Sequence, residues 1–142
     1  VLMVPAAVIA IGVESVAAAL FRLSEATIGD INLAIDSNAL SSERLVELYL
    51  QRISAYDPLI NSIRELNSNA LETARQLDQE RLQSGRRSPL HGIPILLKDN
   101  FDTQDIPTTG GSDALAGSLP PDDAFVVDRF RQAGAIILGK VE

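Results

Sequence analysis

From Ser24 onward, apolar residues recur at intervals of three and four. Ile28, Ile31, Ala34 and Ile35 fall on one side of a predicted helix, with Thr27 or Ser24 available as its N-cap. A second helix is predicted after Ser41-Ser42, with Leu45, Leu48, Tyr49, Arg52, Ile53 and Tyr56 at three- and four-residue spacing, stopping near Asp57-Pro58 because proline disfavours helical geometry in the residue before it. A third is predicted from about Asn69 to Ser84, with Ala70, Leu71, Ala74, Leu77 and Leu82 inward and Gly85 closing it. All three read as packing elements.

Beyond the turn-like SGRRSP segment the periodicity changes. Ile93-Pro94-Ile95-Leu96-Leu97 is apolar without polar alternation, as in a strand covered on both faces. Pro94 lacks an N–H, so this strand should begin at a sheet margin or a bulge. Lys98-Asp99-Asn100 and a long loop containing Thr108-Thr109-Gly110-Gly111-Ser112 follow. Asp122 or Asp123 is the predicted cap of a further helix carrying Ala124, Val127, Phe130 and Arg131 on one side and ended by Gly134. Ala135-Ile136-Ile137-Leu138 then reads as a second buried strand leading to Gly139-Lys140. Strand, loop, helix and strand make a crossover unit with parallel strands. The predicted class is α/β, with amphipathic helices followed by strands of a mixed, largely parallel sheet. Lys98 and Lys140 fall at the carboxyl ends of the two strands, where open α/β sheets bind ligands.

Residues 1–20 stand apart. They hold one charge, Glu14, and an apolar run shorter than the ~20 residues a membrane-spanning helix needs. The segment reads either as the remnant of a secretory signal, with Ala17, Ala18 and Ala19 at its cleavage site, or as an ordinary packed segment. The first reading predicts export and the second a cytoplasmic protein. The expected division is an apolar leader over 1–20 and a packed domain over 21–142.

Charge and composition narrow the chemistry. With 12 basic against 19 acidic residues the net charge is −7, and no basic cluster is present to pair with phosphates, so nucleic acid is not an expected partner. The absence of cysteine excludes disulfides and thiolate chemistry, and a single histidine, His91, argues against a histidine-built metal site or a Ser-His-Asp triad within these residues. No carboxylate pair, P-loop or nucleotide fingerprint is present, and neither a cofactor nor a metal is expected. The sequence carries no signal for an oligomeric state.

Lys98 and Lys140 are the only lysines, and lysine, unlike arginine, can lose its proton when buried. A strand-end Lys98 is expected to be partly desolvated, which favours the proton-accepting amine, whereas neighbouring Asp99 would oppose this by stabilising the ammonium form. The alternative is an ordinary surface lysine. Thr108–Ser112 offers hydroxyls and two glycines that let a ligand approach the backbone, or else a simple turn. His91 reads as a hydrogen-bonded structural residue.

The strings SSERLVELYLQRISAYDP, PLHGIPILLKDN, PTTGGSDALAG and DDAFVVDRFRQAGAIILGK, in this order and spacing, resemble the opening third of the amidase-signature family. The resemblance covers roughly Phe21 to Lys140. It implies hydrolysis of carbon–nitrogen bonds in linear amides by a Ser–cis-Ser–Lys mechanism, in which Lys98 matches the family's base. Thr109, Gly110, Gly111 and Ser112 match a loop bordering the active site. Both catalytic serines and the oxyanion loop of the family lie in a glycine- and serine-rich stretch beyond the position of Glu142, and Ser112 matches neither serine. The expectation is therefore a fragment with one triad member of three, inactive alone.

The chain departs from the family pattern at Val141-Glu142, where Thr or Ala and then Asn are usual, and at Arg44, where the Glu of a capping box is common. The implied substrate is a small-molecule or peptide amide, since KDNFDTQDIPTT is closer to general and peptide amidases than to the aminoacyl-tRNA amidotransferase A-type subunit. That subunit is the competing enzyme reading. A non-catalytic remnant or interaction module is the competing reading from another class.

Overall fold

The computed structural model describes residues 8–11 and 19–142. Most of the proposed leader lies outside these residues. Strand β1 (Val8–Ile11), inside it, and β2 (Ala19–Arg22), which crosses its boundary at residue 20, pair as an antiparallel ribbon.

The rest is a mixed α/β layer structure. Helix α1 (Ile28–Asp36) is started by Thr27, whose hydroxyl accepts from the Asp30 N–H while the Asp30 carboxylate accepts from the Thr27 N–H. Its buried side holds Ile31, Ala34 and Ile35 as predicted, but Ile28 is exposed and Asn32 takes its place inside. Asn32 is tolerated there because its amide donates to the carbonyls of Ile28 and Pro89, each at 2.9 Å, and its oxygen accepts from Arg81.

Helix α2 (Ser42–Ile60) starts on Ser41, which accepts from the Arg44 N–H, so the cap forms without a glutamate at position 44. The helix passes the predicted stop, carrying Pro58 inside its last turn before Asn61 turns left-handed at φ 53°. Two features accommodate this ending. Proline blocks only one intrahelical bond so close to the terminus. The Asp57 carboxylate also collects the N–H groups of Ser62 and Ile63 and the Ser62 hydroxyl. Arg52, which shares the spacing of the apolar residues, is exposed and stacks its guanidinium over the Tyr56 ring.

Strand β3 (Ile63–Leu66) follows and was not anticipated. Helix α3 (Ala70–Ser84) ends at Gly85 as expected and buries Ala70, Ala74 and Leu77, whereas Leu82 is 82% exposed. The Asp78 carboxylate of α3 accepts from the Ser42 and Glu43 N–H groups at 2.8 and 3.0 Å, capping α2 from a neighbouring helix.

The sheet is ordered β3-β5-β4, with β4 spanning Pro94–Lys98 and β5 spanning Ile136–Val141. Strand β5 is central, parallel to β4 and antiparallel to β3. Between β4 and β5 runs α4 (Phe125–Gln132), which has no side-chain cap. Asp123, one of the two predicted caps, accepts instead from the Gln104 N–H and from Arg131. On one face of β5, Ile136 and Leu138 meet Val46 of α2 and Ala70, Ala74 and Leu77 of α3. On the other, Ile137 meets Val127 of α4, Leu97 and Ile106. No helix among the described residues is long and apolar enough to cross a membrane.

Two irregularities shape the carboxyl end of the sheet. Strand β4 is an edge of the described sheet and is not covered on both faces as expected, since Leu96 is 41% exposed. Pro94 accordingly begins an edge strand, where a missing N–H costs no ladder bond on the open side. In the β4–β5 register Ile95 opposes Ile137, but Leu96 opposes Gly139, so β5 carries an extra residue at Leu138. Such a bulge re-aims the side chains beyond it. Parity with Ile136 and Leu138 would send Lys140 toward α2 and α3, yet it lies on the side of the 99–109 loop.

Candidate active site

Strand alternation continues past the end of β4 and separates two adjacent charges. Lys98 shares parity with exposed Leu96, and Asp99 shares parity with Ile95 and Leu97, which pack against α4. Consequently Lys98 is exposed and Asp99 is buried. The expected desolvation of Lys98 is not met, because it stands at the open end of an edge strand whose Leu96 is itself exposed.

Nor does Asp99 pair with Lys98. Its carboxylate accepts from the Thr109 N–H at 3.2 Å and from the Thr109 hydroxyl, and it lies 3.7 Å from Lys140 Nζ. Burial pushes the Asp99 carboxyl up, but the bonds from Thr109 and the nearby ammonium of Lys140 outweigh it and hold the group below the ordinary carboxylate value. The Asp99 carbonyl accepts from the Gly110 N–H at 2.8 Å, and its own N–H donates to the Val141 carbonyl at 2.7 Å.

Lys140 is fully buried inside β5 rather than free at its end. Its ammonium donates to the Phe101 carbonyl at 2.8 Å and the Thr108 hydroxyl at 2.9 Å, with the Pro107 carbonyl at 3.4 Å. Desolvation lowers its pKa against the opposing pull of Asp99. A ligand-binding role, which its strand position had suggested, is not available to an amine with every donor engaged.

The TTGGS loop folds back onto the end of β4. Gly110 and Gly111 both take positive φ, 59° and 78°, and both have open space where a β-carbon would stand. With Lys98, Asp99, Asn100 and Glu142 they line a pocket of about 230 Å³. Thus Lys98 shares this pocket with two of the four predicted loop residues. Thr109 lies beneath as a buried anchor, and Ser112, exposed, leads into a 3-10 turn over Asp113–Leu115. The structural contributions of Asp99 and Lys140 were missed from sequence, although the opposite parity of Lys98 and Asp99 could have signalled that only one of them faces out.

His91 has the role expected of it. Its ring is fully buried, Nδ1 accepts from the Arg87 N–H at 3.2 Å, and Nε2 donates to the Leu77 carbonyl at 2.9 Å, an arrangement satisfied by the neutral Nε2–H tautomer.

The family model described as Amidase matches residues 44–142, which include all but the first two residues of α2, the whole three-stranded sheet and every residue of the pocket. The chain belongs to the amidase family. An Arabidopsis thaliana protein described as a probable amidase is 48% identical over 123 residues, covering 84% of this chain and 24% of that protein. The A-type subunit of the glutamyl-tRNA(Gln) amidotransferase from Acidothermus cellulolyticus is 41% identical, covering 75% of this chain and 21% of its own length. Among solved structures, the native peptide amidase from Stenotrophomonas maltophilia superposes with a TM-score of 0.80 at 43% identity, over 84% of this chain and 25% of that enzyme. The described architecture is therefore part of the amidase-signature fold, and the chain spans between a fifth and a quarter of the length of these relatives.

Proposed function

We propose that the chain contributes the base Lys98 and one wall of the substrate pocket to a hydrolase of linear amides. The observation that carries this reading is the placement of exposed Lys98, in its KDN string, across a pocket from Gly110 and Gly111. In the mechanism implied by the family resemblance, the neutral amine takes a proton from a bridging serine, which takes that of the nucleophilic serine as it attacks the amide carbonyl. The proton then passes to the departing nitrogen, leaving an acyl-enzyme that water hydrolyses to the acid. A lysine is a better proton acceptor when shielded from water, so this role requires Lys98 to be covered in the working site.

The test is release of ammonia from a simple carboxamide and from a C-terminal peptide amide by the full-length protein carrying this chain. Lys98→Met should lower kcat by on the order of 10²–10⁴, the usual contribution of a positioned acid–base group. Turnover within about tenfold of wild type would remove Lys98 from the mechanism.

A second reading, an amidotransferase A-type subunit generating ammonia from glutamine, draws on the similarity to the Acidothermus cellulolyticus protein. Hydrolysis of peptide amides without partner subunits favours the first reading. Glutamine-dependent turnover that requires partners favours the second.

A further inference from the structure

We propose that Lys140 is a positioning residue for this pocket, its buried ammonium locking the turn that follows Lys98 to the strand of loop that precedes Gly110-Gly111. The inference rests on the reading of Lys98 as the base and adds a residue to that same site.

Three observations carry it. The acceptors of Lys140 Nζ come from both sides of the pocket's foundation. Phe101 belongs to the turn begun by Lys98, whose carbonyl accepts the Phe101 N–H at 3.1 Å, while Thr108 immediately precedes the Thr109 anchor. The Thr108 hydroxyl also donates to the Phe101 carbonyl at 3.2 Å, so ammonium, hydroxyl and carbonyl close a small ring joining the two segments. Asp99 completes the junction, holding Thr109 with its side chain and Gly110 with its carbonyl.

The second observation is chemical. Burying an ammonium is costly, and an apolar residue of similar volume commonly holds a fold as well or better. What an apolar side chain cannot do is fix the separation of three oxygen atoms. The third is the bulge at Leu138, without which Lys140 would point to the opposite face. Strand β5 departs from regular pairing where this delivers an ammonium to the turn that follows Lys98.

Lys140 therefore acts on the reaction through Lys98 and touches no substrate. In the full-length protein, Lys140→Met should lower kcat by on the order of 100-fold, the scale of loss from a misplacement of ~1 Å, with KM changed less than about threefold. The discriminating measurement is the double variant. If Lys140 works by placing Lys98, then Lys98→Met with Lys140→Met should be no slower than Lys98→Met alone, whereas independent effects would multiply.

Thr108→Val, which keeps the buried charge and nearly the same volume, should reproduce part of the kcat loss. It serves as the test should Lys140→Met fail to fold. Wild-type kcat in folded Lys140→Met or in Thr108→Val would overturn the proposal, as would multiplicative losses in the double variant. Should the wild-type protein hydrolyse no amide, the functional reading fails on its own. Amide exchange at Gly110 and Phe101 then decides the positioning claim, with faster exchange in Thr108→Val supporting it and unchanged rates overturning it.

Discussion

Replacing Gly139 by alanine probes the close pairing of β3 with the central strand β5. A β-carbon at position 139 would stand 2.4 Å from the Glu65 carbonyl oxygen and 3.2 Å from Leu66 Cα. Both are main-chain atoms, so relief requires β3 to move away from β5 by roughly 1 Å, a shift of the kind that makes overpacking cost about 1–3 kcal/mol. That movement loosens the pairing of Leu66 with Gly139 and of Glu65 with Lys140, and strains the 2.9 Å bond from the Asn67 N–H to the Leu138 carbonyl. At about 1 kcal/mol for each of one or two weakened bonds, the total is about 3 kcal/mol.

For a chain of this size that corresponds to a fall in Tm of roughly 6–12 °C, measurable by circular dichroism with urea melts as a second probe. Gly29→Ala is the matched control. Gly29 lies in the first turn of α1, and a β-carbon there meets only the Thr27 hydroxyl oxygen at an ordinary 3.5 Å. Alanine should therefore stabilise by roughly 0.5–1 kcal/mol through helix propensity. If Gly139→Ala unfolds within about 0.5 kcal/mol of wild type, β3 is not paired with β5 in the register described.

The remaining predictions concern buried polar groups. The folded pKa of Asp99 lies below its ordinary value of 3.8, so its stabilising contribution is complete above that value and is lost as pH falls through the folded one. Urea melts from about pH 6 down to about pH 3 should show a steeper acid loss in wild type than in Asp99→Asn, and equal slopes would refute the assignment. Lys140 acts at the other extreme. Its folded pKa is below 10.5, so between the two values the unfolded chain holds the extra proton and this group makes stability rise with pH; Lys140→Met should remove that alkaline rise. His91→Ala should cost about 2–4 kcal/mol by orphaning the Arg87 N–H, removing the second bond on the Leu77 carbonyl and leaving a cavity, as read from denaturant midpoints.

Helices were the most legible part of this fold, because their boundaries rest on local chemistry. Thr27, Ser41 and Gly85 stand where caps are needed, and the three-and-four spacing locates the inner sides of α1 to α3. The errors arise where tertiary partners override the pattern. Asn32 is inside because Pro89 and Arg81, distant in sequence, satisfy it, and Leu82 is outside because α3 outruns the helix it packs on. Strand β3 has only Ile63 and Leu66 as apolar residues, too few to show a period, and is defined by β5 rather than by its own composition.

At the site, the KDN and TTGGS strings contain Lys98, Asp99, Asn100, Gly110 and Gly111, which line the pocket with Glu142. Which lysine is buried could not be read in the same way. Counting by twos along β5 puts Lys140 on the wrong face, and the extra residue that corrects the count shows only in the pairing with β4.

The cap that Asp78 supplies to α2 ties the formation of one helix to the docking of another. The amides of Ser42 and Glu43 find their acceptors only once α3 is in place, so the start of α2 cannot be completed by its own neighbourhood in sequence. Arg81 repeats the arrangement one turn later, reaching from α3 to Asp36 at 2.6 Å and to Asn32 at the end and middle of α1. The three helices are thereby built to assemble as one cooperative unit. Hydrogen exchange at Ser42 and Glu43 would report the opening of that whole layer and not the fraying of a single terminus.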